Sequence, residues 1–380
     1  MLAGETGRGW RGSGVEDSWR PMARAHTRRV LVVGCGGIGG IVAATLSRDT
    51  EFGVELVGLT TNSTIAEAVS KHGFRVRGDE DAIQGRVVTA LTADEKPFDW
   101  VLLATQPPQV EEAARLVLPW LAANGAMVCF QNGLCEARIA RIAGPQRVIG
   151  AVVAWGASMP EPGVYERTSN GGFTIGRIDG AEDPRLAELA TVLEPIGPVN
   201  ITQNLAGARW SKLAINCAIS TLGTLAGVRL GALMTHRHVR RLALEIMSEV
   251  VEVARAEKVR LEKVSGTIDL DWIALTPAER RSSGPVGLVA KHSMLLAVGA
   301  RYRQMRSSML AAIERGRTPA VDFLNGEVTA HGQQRGVPTP VNAQAQAMVH
   351  ALARGELKSG MDLVRRLADF AEKSAANTPG

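Results

Sequence analysis

The chain is poor in aromatic side chains, which make up 4% of its 380 residues and include only two tyrosines. Little is available to stack nucleobases on, and the charge agrees: 43 basic and 38 acidic residues give a formal net charge of only +5. Residues 1–28 carry five arginines against three acids, so the remainder stands near +3. That balance argues against a nucleic-acid partner, while suiting an anionic cofactor and substrate. Cysteine is scarce too. Cys35, Cys129, Cys135 and Cys217 form no C-x-x-C pair and have no histidine at ligand spacing. Reduced thiols in a cytoplasmic protein, with no metal site, are the expectation. No run of eighteen apolar residues occurs, so no membrane span is expected. Residues 1–28 also lack the apolar stretch of a secretory signal. They read as a disordered tail in which Met22 is a candidate start.

What is present is material for a sizeable core. Hydrophobic residues make up 45% of the chain and charged residues 21%, and the length fits two or three domains. The sharpest feature is the apolar strand Val30-Leu31-Val32-Val33, followed by Gly34-Cys35-Gly36-Gly37-Ile38-Gly39 and a small-residue helix over 41–46. G-x-G-x-x-G between strand and helix is a dinucleotide-binding fingerprint. Gly34 permits the tight turn, Gly36 lets a pyrophosphate approach the backbone, and Gly39 lets helix pack close on strand. Cys35, Gly37 and Ile38 complete a turn whose free N–H groups attract phosphate. The Cys35 thiol reads as a small filler, because buried thiols are inert.

A second strand, over 54–59, ends on Thr60-Thr61-Asn62-Ser63. NAD sites usually place Asp or Glu here to hold the ribose hydroxyls. That acid is missing and nothing repels a 2′-phosphate, so Thr60, Thr61 and Asn62 point to NADP(H). No arginine strengthens the clamp, and the same residues also read as a polar loop capping the next helix, with Ser63 as N-cap. After that helix, 74–76 and 85–90 read as short strands of a hairpin-like insertion. Strands over 100–105 and 126–130 end on Thr105-Gln106 and Gln131-Asn132-Gly133. Ligands of open α/β sheets sit at such carboxyl ends, which puts Thr105, Gln106 and Asn132 beside the cofactor. Strands over 148–157, 164–175 and 199–202 and a helix over 184–193 complete the expected α/β Rossmann domain, 29–203, with a doubly wound, mainly parallel sheet.

From Asn204 the strand signals stop. Helices over 205–219, 222–234, 238–258, 286–315, 322–335 and 342–352 imply an all-α domain, 204–370, with 269–283 unassigned and 371–380 a frayed tail. Leu242, Ile246, Val250, Val253 and Ala254 keep a helical period. They serve either as core or as the surface of a homodimer.

Five motifs now follow in order: Gln131-Asn132-Gly133-Leu134; Trp210-Ser211-Lys212-Leu213 with Asn216; Ser307-Ser308-Met309-Leu310; Phe323-Leu324-Asn325-Gly326; and Gly336-Val337-Pro338-Thr339-Pro340-Val341-Asn342. Together they resemble the ketopantoate reductase family across roughly 29–355. The resemblance implies NADPH-dependent reduction of a 2-oxo acid to a 2-hydroxy acid, in the best-known case 2-dehydropantoate to pantoate on the pantothenate route. It implies Lys212 as general acid with Asn216 as its helper and a substrate ligand. It implies Asn132 near the nicotinamide and the substrate, Ser308 as a substrate-binding serine, and Ser220 in place of a second asparagine. The chemistry agrees independently. Lys212 and Asn216 share one helix face, and an ammonium aimed at a developing oxyanion is a large catalytic term. Taken alone, Lys212 is equally an ordinary solvated lysine.

The departures bear on substrate. Where the family carries Thr-Glu to hold substrate hydroxyls, this chain has Arg317-Thr318-Pro319-Ala320-Val321-Asp322, and Gln106 replaces a family lysine. Losing a hydrogen-bonding partner normally loses the preference built on it. Two other functions therefore stay open: a reductase for a different ketone or imine, and a non-catalytic NADP-binding redox sensor. Arg301, Arg303 and Arg306 read as a solvated face or a carboxylate fork. His292 and His331 read as packed or surface histidines, and 236–241 as a solvated helix start.

Overall fold

The computed structural model describes residues 27–48, 53–263, 268–281 and 286–376. Met22, all but the last two residues of the expected N-terminal tail, and residues 377–380 lie outside the described set.

Strand Arg28–Val33 lies inside an eight-stranded sheet. From one edge to the other the strands are Val199–Ile201, Phe173–Gly176, Val148–Val153, Leu121–Cys129, Phe98–Leu103, Arg28–Val33, Val54–Leu59 and Arg86–Val88. Neighbours are parallel except where Phe173–Gly176 meets Val148–Val153. The inner strands read as unbroken apolar runs because both faces are covered. Val30, Val32, Trp100, Leu102 and Val128 meet helices Gly37–Arg48, Ser63–His72 and Arg185–Leu193 on one side. Leu31, Val33, Val101, Leu103 and Met127 meet Val110–Val117 and Glu136–Ala143 on the other. This is the expected doubly wound α/β half.

Several boundaries differ from the sequence expectation. The hairpin-like insertion pairs with itself only at the antiparallel Phe74–Ile83 bridge, and its strands part beyond it: Arg86–Val88 adds to the main sheet beside Val54–Leu59, whereas Arg75–Val76 joins a separate three-stranded sheet. The expected strands over 148–157 and 164–175 each split. Ala157–Glu161 and Val164–Arg167 belong to the small sheet, and Val148–Val153 and Phe173–Gly176 to the large one. The small sheet packs on the first helix. Tyr165 is fully buried there, and a Cβ at Gly40 would come within 1.9 Å of its ring.

The second half is helical, as expected, and builds its own core. One helix, Leu205–Ala226, replaces the two expected to divide near residue 220; the break comes at Gly227, which caps it in the left-handed conformation at φ 73°. The long helix expected over 286–315 is two, Val286–Arg301 and Ser308–Glu314. Between them, Arg303 and Met305 carbonyls accept from Gly231 and Leu230 N–H, and Ser307 caps the second helix. The unassigned stretch holds two short helices, Leu270–Ile273 and Pro277–Arg281. Met361–Ala376 is helical through residues expected to fray, because Leu363, Val364, Leu367, Ala368 and Ala371 are buried against the helical core. Among the described residues no helix is long and apolar enough to cross a membrane.

Candidate active site

A cleft of about 2000 Å³ separates the sheet's carboxyl ends from the helical half. Most single-ligand pockets enclose about 300–1,000 Å³, so this one has room for a dinucleotide and a substrate together. It brings together all but one of the residues singled out in the sequence for cofactor or substrate: Gly34, Cys35, Gly36, Gly37 and Ile38 of the turn, without Gly39, then Thr60, Thr61, Asn62, Thr105, Gln106, Asn132, Lys212, Asn216, Ser220 and Ser308.

Gly39 sits beneath the turn, not on the cleft wall. A Cβ there would stand 1.9 Å from the Gly34 carbonyl oxygen, so its role is close packing. Gly34 has φ +96°, where a side chain is strained. Gly36 is different, since a Cβ there meets nothing within 4 Å. The space over Gly36 is open and lies at the start of helix Gly37–Arg48, where unbonded N–H groups favour an anion. These residues fit a dinucleotide pyrophosphate. The Cys35 thiol turns into the sheet, 1% exposed, and burial pushes its pKa up to about 12. Cys35 therefore borders the cleft through its backbone, and its carbonyl accepts from Tyr165 Oη at 3.3 Å.

At the second corner the N-cap is Asn62, not Ser63: Asn62 Oδ1 accepts from Thr64 and Ile65 N–H. Thr60 is buried, with Oγ1 accepting from Asn62 N–H at 3.3 Å. Of the three residues assigned to the 2′-phosphate, Thr61 is the exposed one.

Lys212 and Asn216 lie one turn apart on helix Leu205–Ala226. Lys212 is half-buried, and its Nζ donates to the Val153 carbonyl at 2.7 Å, at the end of a central strand. Burial, then the nearby Arg209 guanidinium, push its pKa down to about 7. Asn216 Nδ2 is buried without a hydrogen-bond partner and lines the same cleft. Further along the helix, the Ser220 carbonyl accepts from Ser307 Oγ at 2.9 Å, which turns exposed Ser308 to the cleft. The stretch lacking the family glutamate brings only Arg317 to the cleft wall. Asp322 is engaged elsewhere, accepting at 2.7 Å from both Gln346 and His350. Arg301, Arg303 and Arg306 line the far wall, and Arg306 pairs with Glu314 at 2.5 Å.

Sequence reasoning missed Arg209. It is 1% exposed and pairs with Glu136 of the Rossmann half. It also donates to the Gln131 carbonyl at 2.8 Å and the Cys129 carbonyl at 2.7 Å, fixing the loop that presents Asn132. Its partners lie some 80 positions upstream, so no local pattern marks it. The Phe323-to-Gly326 and Gly336-to-Asn342 motifs line no part of the cleft. Asn325 instead accepts from Thr221 Oγ1 at 2.5 Å and donates to Asn342 Oδ1 at 2.9 Å, bracing the helix that carries Lys212.

A Rossmann half, a helical half and a lysine–asparagine pair in the cleft between them define a nicotinamide-dependent oxidoreductase acting on a C=O/CH–OH couple. The relatives narrow the class. The ketopantoate reductase PanE/ApbA model matches residues 30–180 and its C-terminal counterpart residues 204–353. The 2-dehydropantoate 2-reductase of Pyrococcus horikoshii is 24% identical, aligned over 85% of this chain and 97% of its own. That of Halobacterium salinarum is 28% identical over 82% and 95%. A PanE/ApbA family ketopantoate reductase from Ralstonia eutropha superposes with a TM-score of 0.71 at 23% identity, covering 86% of this chain and 99% of that one. D-mandelate dehydrogenase bound to NADH and anilino(oxo)acetate gives 0.72 at 19% identity, covering 87% and 100%. The chain belongs to the ketopantoate reductase family, and its cofactor is NADP(H).

Proposed function

We propose that the chain reduces a 2-oxo acid to the 2-hydroxy acid, with 2-dehydropantoate as its first candidate substrate on the pantothenate route. The observation that carries the reading is the Lys212–Asn216 pair on one cleft, a titratable amine and an amide whose buried Nδ2 has no partner. NADPH, when bound, supplies the hydride. Gly34, Gly36, Gly37 and Ile38 would hold its pyrophosphate, Thr61 its 2′-phosphate, and Thr105, Gln106 and Asn132 the remainder. Lys212 stabilises the negative charge that develops on the substrate oxygen and delivers its proton there. Asn216 Nδ2 donates to the same substrate, and Ser308 Oγ to its carboxylate. Val153 O holds Nζ at the sheet edge until substrate arrives. Preorganised donors of this kind are worth about 3–4 kcal/mol each. A homodimer through the helical domain and a cytoplasmic location complete the reading.

The test is turnover of 2-dehydropantoate beside a panel of other 2-oxo acids. Lys212→Ala should lower kcat by about two to three orders of magnitude, leaving NADPH binding intact. Wild-type rates in that variant would remove the lysine from the mechanism. Turnover of another 2-oxo acid but not of 2-dehydropantoate would reassign the substrate, in line with the missing glutamate.

A further inference from the structure

The cleft does not end at Asn216 and Ser220. The face of helix Leu205–Ala226 that carries Lys212 still lines it at Gly223, about 16 Å further along. Val228 and Leu230, just past the helix end, line it too, beside Met305, whose carbonyl accepts from Leu230 N–H at 3.0 Å. Arginines gather at this end. Arg301, Arg303, Arg306, Arg315 and Arg317 all line the cleft and are exposed. Three have a local reason to be there. Arg306 pairs with Glu314. Arg301 ends helix Val286–Arg301 and Arg315 directly follows helix Ser308–Glu314, where a cation answers the helix dipole. Arg303 and Arg317 have neither reason: they meet no acid among the described residues, and neither ends a helix. Their backbones are nonetheless fixed, because the Arg303 carbonyl accepts from Gly231 N–H at 3.3 Å and Arg317 N–H donates to the Ala312 carbonyl at 2.9 Å. The acids on the cleft wall stand elsewhere: Glu112 on helix Val110–Val117, Glu166 paired with Arg77, and Glu262 accepting from Thr202 Oγ1.

Guanidiniums gathered at one end of a cleft repel one another, and a cleft of one sign concentrates ligands of the other. The cofactor's phosphates are assigned to the glycine turn and the Thr61 corner, both on the sheet half. Arg317 also falls in the stretch where the acidic reader of substrate hydroxyls is missing. A carboxylate there accepts from hydroxyls, whereas a guanidinium only donates and matches an oxyanion. We propose that the chain also reduces 2-oxo acids that carry a second acidic group, a carboxylate or phosphate, at the far end of an apolar chain, and that Arg303 and Arg317 bind that group. The inference rests on the 2-oxo acid reductase reading and extends its substrate class. The C2 carbonyl gains the cofactor's hydride at carbon and the Lys212 proton at oxygen, giving the 2-hydroxy diacid and NADP+.

Three acids that differ only at the far end test this: 2-oxoadipate, 2-oxo-5-phosphonopentanoate and 2-oxohexanoate, which end in a carboxylate, a phosphonate and a methyl group. kcat/KM of the full chain is measured at saturating NADPH. One of the doubly acidic compounds should exceed 2-oxohexanoate by roughly tenfold, the value of a charge-assisted contact, and the better of the two names the group. In the double variant Arg303→Gln with Arg317→Gln that ratio should fall to near one. Both side chains are exposed, so the core is left intact. Calorimetry of the same acids on the NADP+ complex, which cannot reduce them, should give the same ratio in Kd. If no acid is turned over, the reductase reading fails, while the Kd ratio still decides the second site. Equal values for all the acids in the wild-type protein, or a preference that survives in the double variant, would overturn the proposal.

Discussion

At the scale of single residues, the cleft is set by a few side chains whose chemistry is altered by burial. Lys212 is the clearest. With its pKa pushed down to about 7, it loses its proton as pH rises through neutrality. The protonated form is the acid for reduction, so kcat/KM for reduction should fall above about pH 7. Oxidation of the 2-hydroxy acid needs the neutral amine and should rise over the same range. Parallel pH profiles in the two directions would exclude Lys212 as the titrating group. Thr61 makes the second test. It is the exposed hydroxyl at the corner where NAD enzymes carry an acid. Thr61→Asp should cut the NADPH-over-NADH ratio of kcat/KM by roughly tenfold, about 1.4 kcal/mol. An unchanged ratio would put the 2′-phosphate elsewhere.

At the scale of elements, the first turn and helix show how much was legible. Gly34, Gly36 and Gly39 declared strand, turn and helix because each glycine answers a local steric demand. Their demands differ, and that is testable. Gly36→Ala adds a methyl to open space. The free protein should keep its Tm while NADPH binds roughly tenfold more weakly, about 1.4 kcal/mol. Gly39→Ala drives a methyl into the Gly34 backbone and should cost about 1–3 kcal/mol of stability as well. Calorimetry on both variants checks this, and equal stability would contradict the packing role of Gly39. Illegible features were those decided by contacts distant in sequence. Nothing near Tyr165 signals that its ring covers Gly40. Arg75–Val76 and Arg86–Val88 resemble a hairpin in isolation and separate only because two different sheets have free edges for them. The break after Arg301 is hidden because no glycine or proline stands between Arg301 and Ser308 to mark it, while Leu230 and Gly231 claim the carbonyls of Met305 and Arg303. Lys212, Asn216 and Ser308 were legible through resemblance; the buried pair behind them was not.

At the scale of the whole molecule, Arg209 and Glu136 join the two halves. Both are buried to within 2% of full exclusion. Removing one partner strands a buried charge, so Arg209→Met should cost about 3–5 kcal/mol, and Arg209→Met with Glu136→Leu should recover most of it. Denaturant unfolding of the three proteins measures this. Two single-variant losses that simply add in the double variant would show that the pair carries no coupling.

The same tie decides which parts can move. Arg209 lies three residues before Lys212 and is clamped to the carbonyls of Cys129 and Gln131, while Lys212 itself reaches the Val153 carbonyl. Although it belongs by sequence to the helical half, Lys212, the proposed proton donor, is mechanically part of the sheet. A hinge at the Asn204 junction would have to tear these bonds. Any closing stroke over a bound substrate must therefore come from the opposite wall, the Arg301–Arg317 side, swinging toward a lysine that stays still.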